Sequence, residues 1–238
     1  MPRTAIWKAI CDTLRRDIVN GHYLQGDKLP TEAALATRFS VNRHTVRHAL
    51  RVLADEGMVH PRRGSGVFVA SVATDYPIGR RVRYHQNLRA AGRVPAKEIL
   101  QLQTRPGDQR ECDALELEPG TLVHVYEGLS LADEQPIALF RSVFPALRFP
   151  ALLKDLEETR SVSQALTRSG IPDFTRASTR LNAKLATATQ AVQLRISEGA
   201  PILRSIGINV DGGGVPIEYG RTWFSGDRVT LTLADPED

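Results

Sequence analysis

The segment 29–69, LPTEAALATRFSVNRHTVRHALRVLADEGMVHPRRGSGVFV, constrains this chain more than any other stretch. Thr31 is a good N-cap, and Leu35, Ala36 and Phe39 behind it share one face of a short helix. Ser40-Val41-Asn42 forms a tight turn, with Asn42 as the next N-cap. A second helix, about 43–56, sets Val46, Ala49, Leu50 and Leu53 on one side. Arg43, His44, Thr45 and Arg47 stand near its N-terminus on the other. Gly57 ends it, and Met58-Val59-His60 and Val67-Phe68-Val69 read as strands around the turn-rich run Pro61-Arg62-Arg63-Gly64-Ser65-Gly66. Upstream, Ile6, Ile10, Leu14 and Ile18 recur every fourth residue, one apolar helix face closed by Gly21. These elements predict a winged helix-turn-helix over residues 1–70.

Charge points the same way. Residues 1–70 hold 11 Lys/Arg against 6 Asp/Glu, a net of +5, whereas the remainder holds 20 against 21, a net of −1. A localised positive field suits a polyanion, because each cation placed on a phosphate releases condensed counterions. A helix fits the major groove and its first turns reach base edges. Arg43 and Arg47, one turn apart, are therefore the candidate base readers, flanked by His44 and Thr45. Thr31 and Asn42 sit at helix N-termini, suited to phosphate. At the hairpin tip, Arg63 and Gly64 suit the adjacent minor groove, and Arg62 the backbone. Any one of these arginines alone is an ordinary solvated side chain; four in register with this scaffold are specific. The expected partner is double-stranded operator DNA, bound by a homodimer, since one winged helix makes too few contacts for operator affinity.

At this point the chain resembles the GntR family of bacterial transcription regulators. The resemblance is carried by G-D-K-L-P-T-E, A-x-R-F-x-V-N-R-H-T-V-R-x-A-L, L-A-D-E-G-M-V and R-x-G-x-G-V-F-V, within about residues 4–70. It departs at Ala33, where many members carry a DNA-contacting arginine, and Arg38 is not assumed to replace it.

At 238 residues the chain has room for two ordinary domains. Ser71, Thr74, Asp75, Pro77 and Gly79 suit a connector over 71–79, leaving 80–238 as the second domain. There, 121–131 and 137–144 read as strands around an Asp-Glu-Gln-Pro turn. Residues 202–210 and 216–223 read as strands around Gly212-Gly213-Gly214, and 229–233 as a last strand. Short helices are expected at 163–169 and 186–194, and a strand at 181–183. Hairpins outnumber helices, so the expected class is α+β: an antiparallel sheet with helices on one side.

This half resembles the UTRA ligand-binding domain of the HutC subfamily, whose fold is like chorismate lyase. The text that carries it is L-x-L-E-P-G-T-L-V at 115–123, A-D-x-x-P-I at 132–137, and P-I-E-Y-G-R-T-W-F-S-G-D-R-V at 216–229. The stretch R-V-R-Y-H-Q-N-L at 81–88 is similar to regulators of phosphonate metabolism. The resemblance implies a small anionic effector, phosphonate or phosphate-like, held beside the sheet. Tyr84, His85, Gln86 and Asn87 match that stretch, and Arg81 or Arg83 supplies charge. Arg141, Ser161 and Ser163 are further donors, Glu218 an acceptor, and Phe224 an apolar cover. Many such domains bind phosphate through two arginines where this chain has Gly128 and Ser130. Either Arg141, Arg83 and Arg221 carry the anion instead, or the effector is less strongly charged. Glu218 and Arg221 lie on opposite faces of one strand, so a cross-strand ion pair competes with any binding role. A sugar phosphate or amino-acid derivative is the alternative effector, and repression relieved by ligand the expected mode.

Other classes are disfavoured. No run approaches the 18 or more apolar residues of a membrane span, and the N-terminus is too charged for a secretory signal, so the cytoplasm is expected. Cys11 and Cys112 have no metal-type spacing and read as reduced thiols. There is no nucleophile elbow and no metal-ligand cluster, so catalysis, a metal site and a cofactor are not expected.

Overall fold

The apolar spacing near the N-terminus folds as α1 (Ile6–Val19), whose Ile10, Cys11 and Leu14 are buried. This computed structural model describes residues 6–233 except 63, 65, 71–72, 82–83 and 91, with Arg62 described in its main chain only. The chain divides into two units, Met1–Val72 and Ala73–Asp238.

In the first unit, α2 (Glu32–Phe39) starts where Thr31 Oγ1 accepts from the Ala34 N–H at 3.2 Å. It ends at Ser40, whose left-handed φ of 53° turns the chain. Asn42 then caps α3 (Arg43–Asp55), its Oδ1 accepting from the Thr45 N–H at 2.8 Å. Leu35, Val46, Ala49 and Leu53 meet Leu14 with no exposure, and a hairpin of β1 (Val59–Arg62) and β2 (Gly66–Val69) closes the core through Val59 and Val69. Each fully buried leucine contributes roughly 1.5–3 kcal/mol.

The second unit is built on six antiparallel strands in the order β4-β5-β6-β9-β8-β7. They are β4 (Pro95–Pro106), β5 (Leu122–Ala132), β6 (Gln135–Pro145), β7 (Thr175–Leu185), β8 (Pro201–Val210) and β9 (Pro216–Ser225). β3 (Thr74–Pro77) pairs in parallel with β10 (Val229–Thr232). Part of the expected connector is therefore a strand of the second unit, with Thr74 and Tyr76 buried.

Strand alternation separates two apolar layers. Tyr126, Phe140 and Phe144 pack with Leu152 and Leu156 of α6 (Leu152–Thr159) and Ala165 and Leu166 of α7 (Val162–Arg168). Their neighbours point the other way: Val125 and Val143 pack with Leu115 of α5 (Gln109–Leu115), and Leu129 and Leu139 with Ala191 and Leu194 of α8 (Ala188–Leu194). Helices thus flank both faces, which corrects the one-sided expectation. Both faces of β5 and β6 are apolar, so each face demands its own cover. On the α6–α7 face, α4 (Tyr84–Ala90) sets Leu88 against Ile78 and Phe224.

Candidate functional site

The helix-turn-helix unit sorts its polar residues into those that hold the scaffold and those left to a partner. Thr31 and Asn42 are committed as caps, and Asn42 Oδ1 also accepts from the Thr45 hydroxyl at 2.9 Å. That leaves Thr45 a brace for the first turn of α3. Arg43 and His44 are exposed on that turn. Arg47 is held by Glu32, with Nε to Oε1 at 3.0 Å and Nη2 to Oε2 at 2.6 Å. Its side chain is still 60% exposed, so the pair adds little to stability and can yield to a competing anion. Arg51, exposed one turn beyond Arg47, extends the basic stripe; it was within reach of the same spacing argument.

Arg38 donates to Asp17 at 2.7 Å and to the Tyr23 hydroxyl at 3.2 Å, so it braces α2 against α1 and does not stand in for the arginine lost at Ala33. Ala33 instead borders a shallow hollow with Thr37, Ser40, Asn42 and Arg43. At the wing, Gly64 is exposed with φ 76°, and Arg62 pairs with Gly66 across the hairpin. Arg63 and the side chain of Arg62 lie outside the described residues.

In the second unit, a cavity of about 430 Å³ opens on the α6–α7 face, and all six strands of the sheet floor it. Of the residues expected to hold an effector, Tyr84, His85, Gln86, Ser161, Ser163, Glu218 and Phe224 line it. Tyr84 is pinned where β4 meets β5, its hydroxyl 2.9 Å from the Ala96 carbonyl and 2.5 Å from that of Leu131. Ser161 is the N-cap of α7. Glu218 is nearly buried, accepting from Ser142 Oγ at 2.5 Å and from Asn209 Nδ2 at 2.6 Å.

Four expectations part from this arrangement. Arg141 stands on the other face of the sheet, because its neighbours Phe140 and Ser142 take the cavity side; there it pairs with Glu127 at 2.7 Å. Arg221, opposite Arg141 in the ladder, shares that face and reaches Glu111 at 3.5 Å. Arg81 is exposed and paired with Asp173, and Asn87 turns away to donate to the Pro77 carbonyl at 3.1 Å. Arg83 lies outside the described residues. The alternative in which Arg141 and Arg221 replace the missing arginines is therefore corrected by strand parity.

Among the described residues, the cations that line the cavity are Lys97, Arg89 and Arg176. Lys97 lies directly opposite Ser130 in the β4–β5 ladder. Its Nζ sits 4.2 Å from the Phe140 ring centroid, 5.2 Å from Tyr84 and 5.5 Å from Tyr126. Burial pulls its ammonium down to about 8, against an opposing pull from the Glu218 charge. Gly128 is explained by the same crowding: a Cβ there would fall 2.2 Å from the Glu98 carbonyl oxygen and 3.0 Å from the Phe140 ring. Arg176 lies across Gly207 and donates from Nε to Asn209 Oδ1 at 2.7 Å. The His85 imidazole is pushed below its usual value by burial, then by the charges of Lys97 and Arg89. Lys97 and Arg176 escaped sequence reading because β4 was not recognised and only the middle of β7 was, so neither side chain could be assigned a face.

His124 is structural. Its Nε2 meets the Phe149 carbonyl at 3.1 Å, so that nitrogen donates and Nδ1, 2.8 Å away, accepts from the Thr104 hydroxyl. Burial lowers its pKa, in keeping with a neutral ring. Among the described residues no group of three His, Cys, Asp or Glu is placed to hold a metal, and no helix is long and apolar enough to cross a membrane.

A winged helix-turn-helix joined to an antiparallel-sheet domain with a polar, ligand-sized cavity defines a transcription regulator that pairs a DNA-binding head with a small-molecule sensor. The family model for bacterial regulatory proteins of the gntR family matches residues 7–69, and that for the UTRA domain matches residues 90–230. An uncharacterised HTH-type transcriptional regulator of Rhizobium meliloti (strain 1021) is 36% identical over 230 residues, 96% of this chain and 94% of its own length. The probable transcriptional regulator PhnF of Escherichia coli (strain K12) is 32% identical over 213 residues, 89% of this chain and 88% of that protein. The crystal structure of PhnF from Mycobacterium smegmatis aligns with a TM-score of 0.65 at 28% identity, covering 96% of this chain and 100% of that one. The chain belongs to the GntR family and carries a UTRA domain as its second half. Its relatives are transcription regulators, and it is a regulator rather than an enzyme.

Proposed function

We infer that this regulator is a cytoplasmic repressor that binds a two-fold-related operator as a homodimer and releases it when a small anionic effector fills the UTRA cavity. The observation that carries the effector class is the lining of that cavity: among the described residues, Lys97, Arg89 and Arg176 stand against one carboxylate, Glu218. An anion entering there gains charge-assisted hydrogen bonds and relieves the desolvated Lys97 ammonium. Phosphonate uptake or metabolism genes are the proposed target, supported by the likeness of residues 81–88 to regulators of that metabolism and by the similarity to PhnF. Arg43, Arg47 and the wing around Gly64 read DNA. The effector acts by favouring the state of the chain with lower operator affinity, since a ligand moves only an equilibrium whose states it binds differently.

A second reading, a sugar phosphate or amino-acid derivative, is favoured by the Ser142–Glu218–Asn209 cluster, which suits a hydroxyl or amine as well as an anion's tail. Fluorescence polarisation with DNA from the chain's own promoter tests the proposal. Arg43→Ala is expected to cost about 1–3 kcal/mol of operator binding. Unchanged polarisation with Arg43→Ala would refute the DNA assignment, and an operator complex indifferent to every phosphonate and phosphate ester would refute the anion.

A further inference from the structure

The cavity holds two opposite charges that have not paired with each other. Glu218 is only 8% exposed, and its two carboxylate oxygens accept one hydrogen bond each, both from neutral side chains. Among the described residues, no cation lies within ion-pair distance of it. The nearest cation along its hydrogen-bond chain is Arg176, which reaches Asn209 rather than the carboxylate. Lys97, lining the same cavity, is surrounded by the rings of Tyr84, Tyr126 and Phe140 and has no carboxylate partner among the described residues. A desolvated charge without a partner is destabilising, so the buried Glu218 and the partly buried Lys97 in one cavity would pair if they could.

The topology prevents it. Lys97 is on β4 and Glu218 on β9, with β5 and β6 between, and the register sets Lys97 level with Phe224, six residues along β9 from Glu218, so their backbones lie well beyond the roughly 14 Å of three strand spacings. Phe140 on β6 stands directly under the Lys97 ammonium. The positive end is reinforced by Arg89, which shares the cavity wall with His85. At the other end, Ser142 and Asn209 hold the Glu218 carboxylate in one orientation. Thr222 and Phe224 line the cavity too, and offer a largely neutral bed for a short spacer.

We propose that the effector is a zwitterion, with an anionic head at Lys97 and Ser130 and a primary ammonium at Glu218. This deepens the reading of the cavity as an anionic-effector site and rests on it. The ammonium returns to Glu218 the pairing that the fold withholds, and the anion does the same for Lys97. Glu218 is then a specificity determinant that rejects anions lacking an amine.

Isothermal titration of the full chain with matched probes tests this. The probes are 2-aminoethylphosphonate and 3-aminopropylphosphonate, with ethylphosphonate and propylphosphonate as the same heads without an amine. At least one aminated probe is expected to bind about tenfold or more tightly than its unaminated partner, the size of one charge-assisted hydrogen bond. Glu218→Gln, which keeps a hydrogen-bonding side chain of the same shape, is expected to erase that ratio by weakening the aminated probes. Lys97→Met is expected to weaken all four probes. Equal affinity for aminated and unaminated probes at both lengths, or a preference that survives Glu218→Gln, overturns the zwitterion while leaving the anion site standing. Failure of all four to bind at millimolar concentration overturns both.

Discussion

Lys97→Met is the most revealing substitution the structure offers, because it should stabilise the free protein and disable it together. At neutral pH the fold holds an ammonium whose pKa has fallen from 10.5 to about 8. At about 1.4 kcal/mol per unit, that shift represents roughly 3 kcal/mol of destabilisation as an upper bound. The three rings around Nζ return about 0.5–2 kcal/mol through cation–π attraction, which methionine forfeits. Methionine nearly matches the length of the lysine stem and keeps its aliphatic contacts. The net gain expected at pH 7 is therefore about 1–2 kcal/mol, or a Tm rise of roughly 2–8 °C for a unit of this size.

The sign of the pH dependence follows from which state holds the proton. Between about 8 and 10.5 the unfolded lysine keeps its proton while the folded one has released it. Wild-type stability therefore rises with pH across that window relative to Lys97→Met. The gap between the two proteins should be full below pH 8 and closed near the top of the window. Thermal unfolding in buffers from pH 6.5 to pH 10 reads both. A variant less stable than wild type at pH 7, with a gap independent of pH, would mean that Lys97 is satisfied in the free protein, and the electrostatic account of the cavity would fail.

Three further outcomes follow from particular contacts. Glu32→Gln releases Arg47 from an exposed ion pair, so stability should barely change while operator affinity rises; a loss of operator affinity would show that Glu32 positions Arg47 rather than competing for it. Gly207→Ala would place a Cβ 1.8 Å from Arg176 Nη1, and the flexible side chain must swing away from Asn209. Effector affinity should fall with little loss of stability, and titration of Gly207→Ala with Arg176→Ala should show no further loss; additive losses would place Arg176 outside the site. On the other face, Arg105→Met removes two of the bonds to the fully buried Glu111, at 2.7 and 2.8 Å, and leaves the Asp108 N–H and Arg221, an expected cost of about 1–3 kcal/mol at pH 7. Burial raises the Glu111 pKa, but Arg105, the Asp108 N–H and Arg221 outweigh it and hold the carboxyl low. The wild type should accordingly lose this contribution as pH falls below the ordinary carboxylate range. The variant should be relieved by the same acidification, and urea denaturation at pH 7 and pH 3 separates the two.

The helix-turn-helix was legible because every part of it is local. Caps at Thr31 and Asn42, a 3.6-residue apolar period through Val46, Ala49, Leu50 and Leu53, and a glycine-tipped hairpin are all encoded within a few residues of where they act. The same reading missed β4, α5 and α6. β4 alternates partly buried and exposed residues without the usual apolar contrast, and α5 and α6 are short amphipathic helices that acquire their hydrophobic meaning only against β5, β6 and β9. Tertiary burial outweighs weak local propensity in such segments.

The amino-acid sequence by itself determined that this chain has a basic DNA-reading head and an antiparallel sensor sheet, since spacing, caps and turn residues act over short range. It also placed Tyr84, His85, Ser161 and Glu218 among the candidates for one site, on the strength of a family resemblance. Only the tertiary structure decided which charges face the cavity. Side chains alternate across a strand, so a one-residue difference separates Ser142 inside from Arg141 outside, and Glu218 inside from the outward Arg221. Parity of that kind is invisible until strand boundaries and partners are known. It is what sets Lys97, opposite Ser130, in the same cavity as Glu218, with no ion pair between the two.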